Sequence, residues 1–220
     1  MAQYTDITIL LDRSGSMQTI KTAMESGMKE FIQGHQTVPS TRLSLIQFDG
    51  TNSYEEVYIE RPITDVPELI LSPRGWTPLY DALCKTIDKT GQRLAAKREA
   101  DRPDKVLFLI ITDGEENASR EFKRHDARTR IERQKDRYQW EFSYLGANQD
   151  AYKEAQSIGI DWGKTMNFNA SLKGVSGAMR GMTTNTVAYA STTGTGAMAN
   201  YTKSQLDAAV EDDKGTSGKP

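Results

Sequence analysis

The sequence predicts an α/β fold with a Rossmann-like, doubly wound, mostly parallel central sheet, one antiparallel edge strand and helices on both faces. Short apolar runs rich in β-branched residues alternate with segments whose apolar residues recur every three or four positions, which is typical of βαβ units. One run, residues 106–111, is apolar at every position, as expected of a central strand that helices cover on both sides.

The first third of the chain should supply the first core strand and the antiparallel edge. Residues 7–11 are the first apolar run, and a helical stripe follows them at Met17, Ile20, Met24, Met28, Phe31 and Ile32. Residues 42–48 and 54–63 alternate as strands do, and the turn-rich segment 49–52 between them suits a hairpin. We expect this pair to form the edge of the sheet.

Helices and strands continue to alternate beyond residue 75. Pro78 suits the first position of a helix, with Thr77 as its N-cap, and the apolar face of this helix extends to Leu94. The strand at 106–111 should lie beside the first strand. The remaining predicted elements are a mostly solvated helix at 120–138, a strand at 140–145, a short helix at 150–158 and a short strand at 164–168.

A shift in composition predicts a main domain at residues 1–169 and a C-terminal segment at residues 170–220. Gly, Ser, Thr and Ala dominate the segment, and its one helical stripe comprises Leu172, Val175, Met179, Met182, Thr186 and Tyr189. We expect an amphipathic helix that docks on the domain, with pairing to another chain as the alternative. Residues 192–198 and 211–220 have too little apolar surface to offset ordering entropy and should be a mobile tail.

Composition narrows the class of protein. The 28 basic residues nearly balance the 30 acidic ones, so the net charge of −2 favours no polyanionic partner. The single cysteine, Cys84, cannot form an internal disulfide and fits a reduced compartment. No export signal is visible, and no apolar run approaches the roughly 20 residues that a membrane span needs. We expect a soluble cytoplasmic protein that makes no membrane contact.

Three loops bring oxygen-bearing side chains to predicted carboxyl ends of strands or to helix starts, where open α/β sheets bind their ligands. The first loop has the sequence Asp-Arg-Ser-Gly-Ser, the second Gly-Trp-Thr-Pro-Leu and the third Thr-Asp-Gly. The candidate metal ligands are Asp12, Ser14, Ser16, Thr77 and Asp113. Two carboxylates and three hydroxyls suit a hard divalent cation, with Mg²⁺ first and Mn²⁺ or Ca²⁺ as alternatives.

These motifs, in this order, resemble the von Willebrand factor type A domain with its metal-ion-dependent adhesion site (MIDAS), over about residues 5–169. Segments 116–122 and 140–148 are similar to compact stand-alone domains of this type from bacteria and phages. The resemblance implies that all five candidates hold the ion. Because only two formal negative charges surround the dication, an Asp or Glu carboxylate of a partner protein can complete its coordination.

We therefore predict a divalent-metal-dependent protein-binding module and not an enzyme. One alternative is nucleic-acid binding by the basic helix at 120–137, which interleaved acidic residues disfavour. The other is a metal-assisted hydrolase or serine nucleophile. This chemistry is disfavoured because neither His35 nor His125 belongs to the three loops, so the serines lack a base.

Acidic residues near these loops have simpler interpretations. Asp81 lies in the first turn of the predicted helix, where a carboxylate interacts favourably with the helix dipole, and it could also hold Thr77 in position. Glu115 and Glu116 are interpreted as solvated loop charges.

Overall fold

The computed structural model describes residues 4–38, 40–147, 150–194 and 196–213. Its strands are β1 (Thr5–Asp12), β2 (Thr41–Phe48), β3 (Glu55–Pro62), β4 (Lys105–Thr112), β5 (Glu141–Ala147) and β6 (Thr165–Phe168). They form one six-stranded sheet in the order β3-β2-β1-β4-β5-β6. Only the β2–β3 pair is antiparallel, so the predicted sheet and its edge are confirmed.

Within the described residues, six α-helices cover the two faces of the sheet. They are α1 (Lys21–His35), α2 (Leu79–Ala95), α3 (Arg124–Tyr138), α4 (Ala151–Ser157), α5 (Leu172–Ser191) and α6 (Lys203–Ala209). Short 3-10 turns occur at Gly15–Thr19, Ile63–Asp65, Glu99–Asp101 and Trp162–Lys164. Helices α1, α5 and α6 pack on one face, and α2, α3 and α4 pack on the other.

The central strands contribute to both cores because successive side chains point to opposite faces. In β1, Ile9 and Leu11 pack toward α1 and α5, whereas Leu10 packs toward α2. In β4, Leu109 joins the first core and Phe108 the second. This two-sided burial explains why residues 106–111 of β4 are all apolar.

The predicted C-terminal helix is present as α5, and it is docked against α1. A β-carbon added at Gly27 of α1 would meet the Met179 side chain at 2.6 Å, so the two helices approach closely because Gly27 has no side chain. Val175 and Met179 are fully buried in the core that contains β1. Leu172, which was assigned to the same stripe, is 62% exposed. The domain boundary at residue 170 stays a prediction.

The mobile tail stays a prediction, but the described part of that segment makes specific contacts with the domain. Met198 is 2% exposed, Thr192 accepts hydrogen bonds from the Lys105 ammonium, and the Asp213 carboxylate accepts two backbone N–H bonds at the start of α5. Polar contacts therefore join this segment, which has few large apolar residues, to the rest of the domain. Residues 195 and 214–220, also assigned to the tail, lie outside the described residues. None of the described helices has the length and apolar character needed to cross a bilayer.

The predicted N-cap role of Thr77 is also wrong. Pro78 occupies the N-cap position of α2 and makes no side-chain cap. The backbone of Thr77 is instead held by Asn117, whose side chain accepts the Thr77 N–H at 2.9 Å and whose N–H donates to the Thr77 carbonyl at 3.1 Å. This tertiary contact delays the helix start by one residue.

Candidate metal centre

Asp12 is fully buried at the carboxyl end of β1. Its Oδ1 accepts the Ser14 N–H at 2.7 Å, and its Oδ2 accepts the Thr112 hydroxyl at 2.6 Å from the neighbouring strand β4. The two bonds set the orientation of the carboxylate. They explain why an aspartate stands where β1 ends, whereas the donor at residue 14 is a backbone N–H, which does not itself require a serine.

Ser14, Ser16 and Asp113 form a short chain of hydrogen bonds. The Oγ atoms of Ser14 and Ser16 lie 3.1 Å apart, and Ser16 Oγ donates to Asp113 Oδ1 at 2.6 Å. Ser14 and Asp113 are each 2% exposed, whereas Ser16 is exposed. The first and third loops therefore meet at the carboxyl ends of strands β1 and β4.

The second loop reaches the same place through Thr77, which is buried. A β-carbon added at Gly114 would lie 3.1 Å from Thr77 Oγ1 and 3.5 Å from Ser16 Oγ. The hydroxyls thus approach the backbone beside Asp113 where glycine leaves room. The structure brings together all five side chains that the sequence analysis selected.

The electrostatics of this cluster suit a cation. Asp113 Oδ2 is buried and has no hydrogen-bond partner in the described part of the chain. Burial raises the pKa of Asp12 to about 7, with nearby Asp113 adding to the effect, and burial also raises the pKa of Asp113. Two desolvated carboxylates at one site are costly, and a dication offsets that cost.

The donor set decides which ions fit. Among the described residues no group of three or more His, Cys, Asp or Glu side chains is placed to hold a metal, so a cation here depends on hydroxyl ligands as well as carboxylates. Oxygen-only coordination is the preference of hard cations such as Mg²⁺. The unpaired oxygen of Asp113 and the three nearby hydroxyls therefore fit such an ion.

An ion-pair network, in which Arg13 and Asp49 are buried and Glu55 and Arg74 are partly exposed, supports the first loop. Arg13, 5% exposed, donates from Nη2 to Asp49 Oδ2 and to Glu55 Oε2, both at 2.6 Å. Arg74 Nε donates to the same Asp49 oxygen at 3.0 Å, and Arg74 N donates to the Arg13 carbonyl at 2.8 Å. The Arg13 guanidinium holds the pKa of Glu55 below its usual range. The network ties the first two loops to the β2–β3 hairpin.

The loop after Asp113 is anchored by acidic residues whose roles the sequence analysis missed. Asp81 is 4% exposed and accepts backbone N–H bonds from residues 120–122, at 2.8 to 3.0 Å. No hydrogen bond between Asp81 and Thr77 is found among the described residues. Glu116 accepts from the backbone N–H groups of Tyr80, Ala118 and Ser119, so its interpretation as a solvated charge is wrong. Glu115 is exposed.

The geometry gives little support to either alternative function, serine-based catalysis or nucleic-acid binding by α3. His35 is fully buried near the end of α1, and His125 is exposed on α3 with its nearest acidic neighbour at Asp126. Neither histidine is bonded to a serine of the candidate site. Three of the basic residues of α3 form close ion pairs with acids: Arg128 with Glu132, Arg130 with Asp88 and Lys135 with Asp161.

A family model described as the von Willebrand factor type A domain matches residues 6–174. The chain belongs to this family. The match covers every strand of the sheet and all five candidate ligands. A comparison with curated proteins found no significant match.

Solved structures with the same fold include other von Willebrand factor type A proteins. Proximal thread matrix protein 1 from the mussel byssus is 17% identical, with a TM-score of 0.62 over 84% of this chain and 48% of that one. Another structure of the mussel protein carries a zinc-occupied MIDAS motif, at a TM-score of 0.60. A von Willebrand factor type A structure from Catenulispora acidiphila is 15% identical, with a TM-score of 0.58 over 84% of this chain and 43% of that one.

A pilus adhesin also shares the fold. SpaC from Lactobacillus rhamnosus GG is 16% identical, with a TM-score of 0.62 over 86% of this chain and 30% of that one. This von Willebrand factor type A chain spans less than half the length of each of these three proteins. At these identities the likeness shows the fold alone.

Proposed function

We propose that this protein is a divalent-metal-dependent protein-binding module in which Asp12, Ser14, Ser16, Thr77 and Asp113 hold Mg²⁺. The cation would bind an Asp or Glu side chain of a partner protein. The observation that carries the proposal is the buried, unpaired Oδ2 of Asp113 beside a second buried carboxylate and three hydroxyls. Such an arrangement is unfavourable without a cation and favourable with one.

The fold supports this proposal at a coarser level. Von Willebrand factor type A domains commonly mediate metal-dependent protein–protein interaction, and an adhesin is among the structures that this chain resembles. The carboxylate partner and the identity of the ion go beyond that likeness. They follow from the chemistry of the donors, since a site with two carboxylates leaves a dication able to bind another anion.

Each residue of the site would have a separable task. The Thr112 hydroxyl and the Ser14 N–H orient Asp12 before any ion binds. Ser16 donates its proton to Asp113, so its lone pairs are directed elsewhere and remain able to bind a cation. A bound dication would supply the Lewis acidity toward an anionic ligand. The protein supplies the positions of the oxygen donors.

We propose binding and not catalysis. A serine nucleophile needs a base within hydrogen-bond reach, and Ser14 and Ser16 bond to each other and to Asp113. The Asp113 carboxylate would be occupied by the cation when the site is loaded. Asp12 already accepts hydrogen bonds from the Thr112 hydroxyl and the Ser14 N–H.

The metal can be tested by isothermal titration calorimetry with Mg²⁺, Mn²⁺, Ca²⁺ and Zn²⁺ on wild type, Asp113→Ala and Asp136→Ala. Asp136 is an exposed aspartate on α3 and serves as the matched control. We expect wild type and Asp136→Ala to bind Mg²⁺ and Mn²⁺ equally, and Asp113→Ala to give no heat. Equal heats from all three proteins would rule out the assigned site.

The carboxylate partner can be tested with a random heptapeptide phage library panned on immobilised protein in Mg²⁺ and eluted with EDTA. We expect enrichment of Asp or Glu at one position with wild type and none with Asp113→Ala. Equal enrichment with the variant, or wild-type peptides without an acidic residue, would contradict the proposal.

A further inference from the structure

Trp76 presents an exposed indole directly before the candidate ligand Thr77. It is 69% exposed, and among the large apolar side chains of the described residues only Ile70 is more exposed. A solvent-exposed tryptophan is unusual because burying its ring removes a large apolar area from water. Its covalent neighbour Thr77 is 2% exposed, so the chain passes from the surface into the site within one residue.

The backbone beneath this indole is held firmly. A β-carbon added at Gly50 would lie 2.7 Å from Trp76 N and 3.2 Å from Trp76 Cδ1, so the hairpin packs directly against the tryptophan. Gly75 has a φ of +68°, which favours glycine, and its carbonyl accepts the Gly15 N–H at 3.1 Å. The tryptophan is therefore tied to the first metal loop, and a contact with it costs little additional backbone ordering.

The charges next to Trp76 are already balanced. Arg74, which directly precedes Gly75, pairs with Asp49 at 3.0 Å. Asp49 and Glu55 both pair with Arg13 at 2.6 Å. A charged partner residue placed over the indole would be desolvated and would meet a set of charges that already satisfy one another. An apolar side chain loses nothing there and covers the exposed ring.

We propose that Trp76 determines specificity by binding a bulky apolar side chain located within two residues of the acidic residue that the metal binds. Adjacent Cα atoms are about 3.8 Å apart, so an indole that extends from residue 76 can reach a side chain one or two positions along a partner segment. Tryptophan is among the residues that most often dominate binding energy at protein interfaces. This inference rests on the proposed metal-dependent binding of a carboxylate.

The test repeats the heptapeptide selection in Mg²⁺ with wild type, Trp76→Ala, Trp76→Phe and the control Trp162→Ala. Trp162 is 57% exposed, and it stacks on Tyr152 beside β6, away from the three loops. Mn²⁺ titration of each variant checks that the metal site is intact. One selected peptide is then synthesised and its affinity measured for all four proteins.

We expect wild type, Trp76→Phe and Trp162→Ala to select Leu, Ile, Phe, Trp or Tyr within two positions of the acidic residue. Trp76→Ala should keep the acidic residue, lose the apolar preference, and bind the synthetic peptide at least about tenfold more weakly with unchanged Mn²⁺ affinity. If Trp76→Ala selects the same apolar residues, or if wild type selects Lys or Arg beside the acid, the role of Trp76 is wrong while the proposed function stands. If no protein selects an acidic residue, both fail.

Discussion

The hydroxyl of Ser16 donates a 2.6 Å hydrogen bond to Asp113 Oδ1, joining residues that are 97 positions apart in the chain. This bond connects the loop after β1 to the loop after β4. It satisfies one oxygen of a buried carboxylate and leaves the other, Oδ2, without a partner among the described residues. The cluster is therefore organised before a cation binds, but it is not electrostatically satisfied.

Replacement of Asp113 by asparagine should separate the stability of the protein from its response to metal. Removing a desolvated charge should leave the metal-free variant at least as stable as metal-free wild type. Wild type should gain about 2.7 kcal/mol when the metal concentration is 100 times its Kd, and the variant should gain nothing. Urea unfolding with EDTA and with Mn²⁺ measures both quantities.

The exposed Asp136→Asn variant is the control, and it should retain the full stabilisation by Mn²⁺. A strong destabilisation of Asp113→Asn in EDTA would indicate that the carboxylate is a structural anchor. In that case the unpaired Oδ2 would not be a mark of a metal site.

Asn117 should control metal affinity through Thr77. Asn117→Ala removes the acceptor of the Thr77 N–H at 2.9 Å, which frees the backbone that carries the Thr77 hydroxyl. We expect Mn²⁺ affinity to fall about 10- to 100-fold, as when residues that orient metal ligands are lost, with a stability change near 1 kcal/mol. Calorimetry and urea unfolding measure the two effects.

Asn117→Asp is the matched comparison because it keeps an acceptor oxygen in a side chain of the same size. Its added negative charge should keep Mn²⁺ affinity at or above the wild-type value. Equal losses in both variants would mean that Asn117 acts through its own side-chain amide and not by holding Thr77.

The strands could be predicted from local patterns, and the meeting of the five candidate side chains could be predicted from three local motifs together with the family resemblance. The apolar run in β4 records burial on two faces, and the sequence after β1 places Asp12, Ser14 and Ser16 on one turn. Parallel strands then bring their carboxyl ends to one edge, so Asp113 must lie near Asp12. Position in the sheet, more than side-chain chemistry, made the site predictable.

The supporting residues could not be predicted because they act across long separations through backbone groups. Glu116 and Tyr80 are 36 positions apart, and Asp81 and Phe122 are 41 apart, with a carboxylate accepting a backbone N–H in each case. Any residue supplies such an N–H, so the sequence carries no mark of the pairing. The absence of this signal also led to the wrong prediction of Thr77 as a helix cap.

Cytoplasmic location rests on sequence alone and stays a prediction.

Lys105 should stabilise the end of α5. Its ammonium donates to the Tyr189 carbonyl at 2.6 Å and to the Thr192 hydroxyl at 2.7 Å, which satisfies groups that a helix end leaves open. Lys105→Met keeps the side-chain length but removes the donors, and we expect a loss of about 1–3 kcal/mol. Hydrogen exchange should accelerate in the last turn of α5 more than in β1.

The exposed Lys173, at the opposite end of α5, provides the control. Lys173→Met should leave the unfolding free energy and the exchange rates close to wild type. If Lys105→Met behaves the same way, water replaces the ammonium without cost and the capping role is wrong.

His35 should make the protein sensitive to mild acid. The residue is fully buried, and its Nδ1 lies 2.9 Å from the Phe31 carbonyl, whereas its Nε2 is buried and has no partner among the described residues. Burial lowers the pKa of His35 to about 4, against 6.5 for a free histidine. The unfolded chain therefore binds a proton at a higher pH than the folded protein does.

The sign of the effect follows from this order of pKa values. Above pH 6.5 both states are neutral at His35 and the residue makes no pH-dependent contribution. As the pH falls from 6.5 toward 4, the unfolded state gains a proton at His35 first, so the contribution of His35 to the unfolding free energy falls by on the order of 3 kcal/mol, while protonation of Asp12, whose pKa is raised in the folded protein, acts in the opposite direction. His35→Phe keeps a ring beside Phe31, whose centroid lies 4.1 Å from that of His35, and should remove most of this loss. This prediction can be tested by urea unfolding between pH 4 and 7 of wild type, His35→Phe and the exposed-site control His125→Phe. If the stability of His35→Phe falls with pH as steeply as that of the other two proteins, a group other than His35 causes the acid sensitivity.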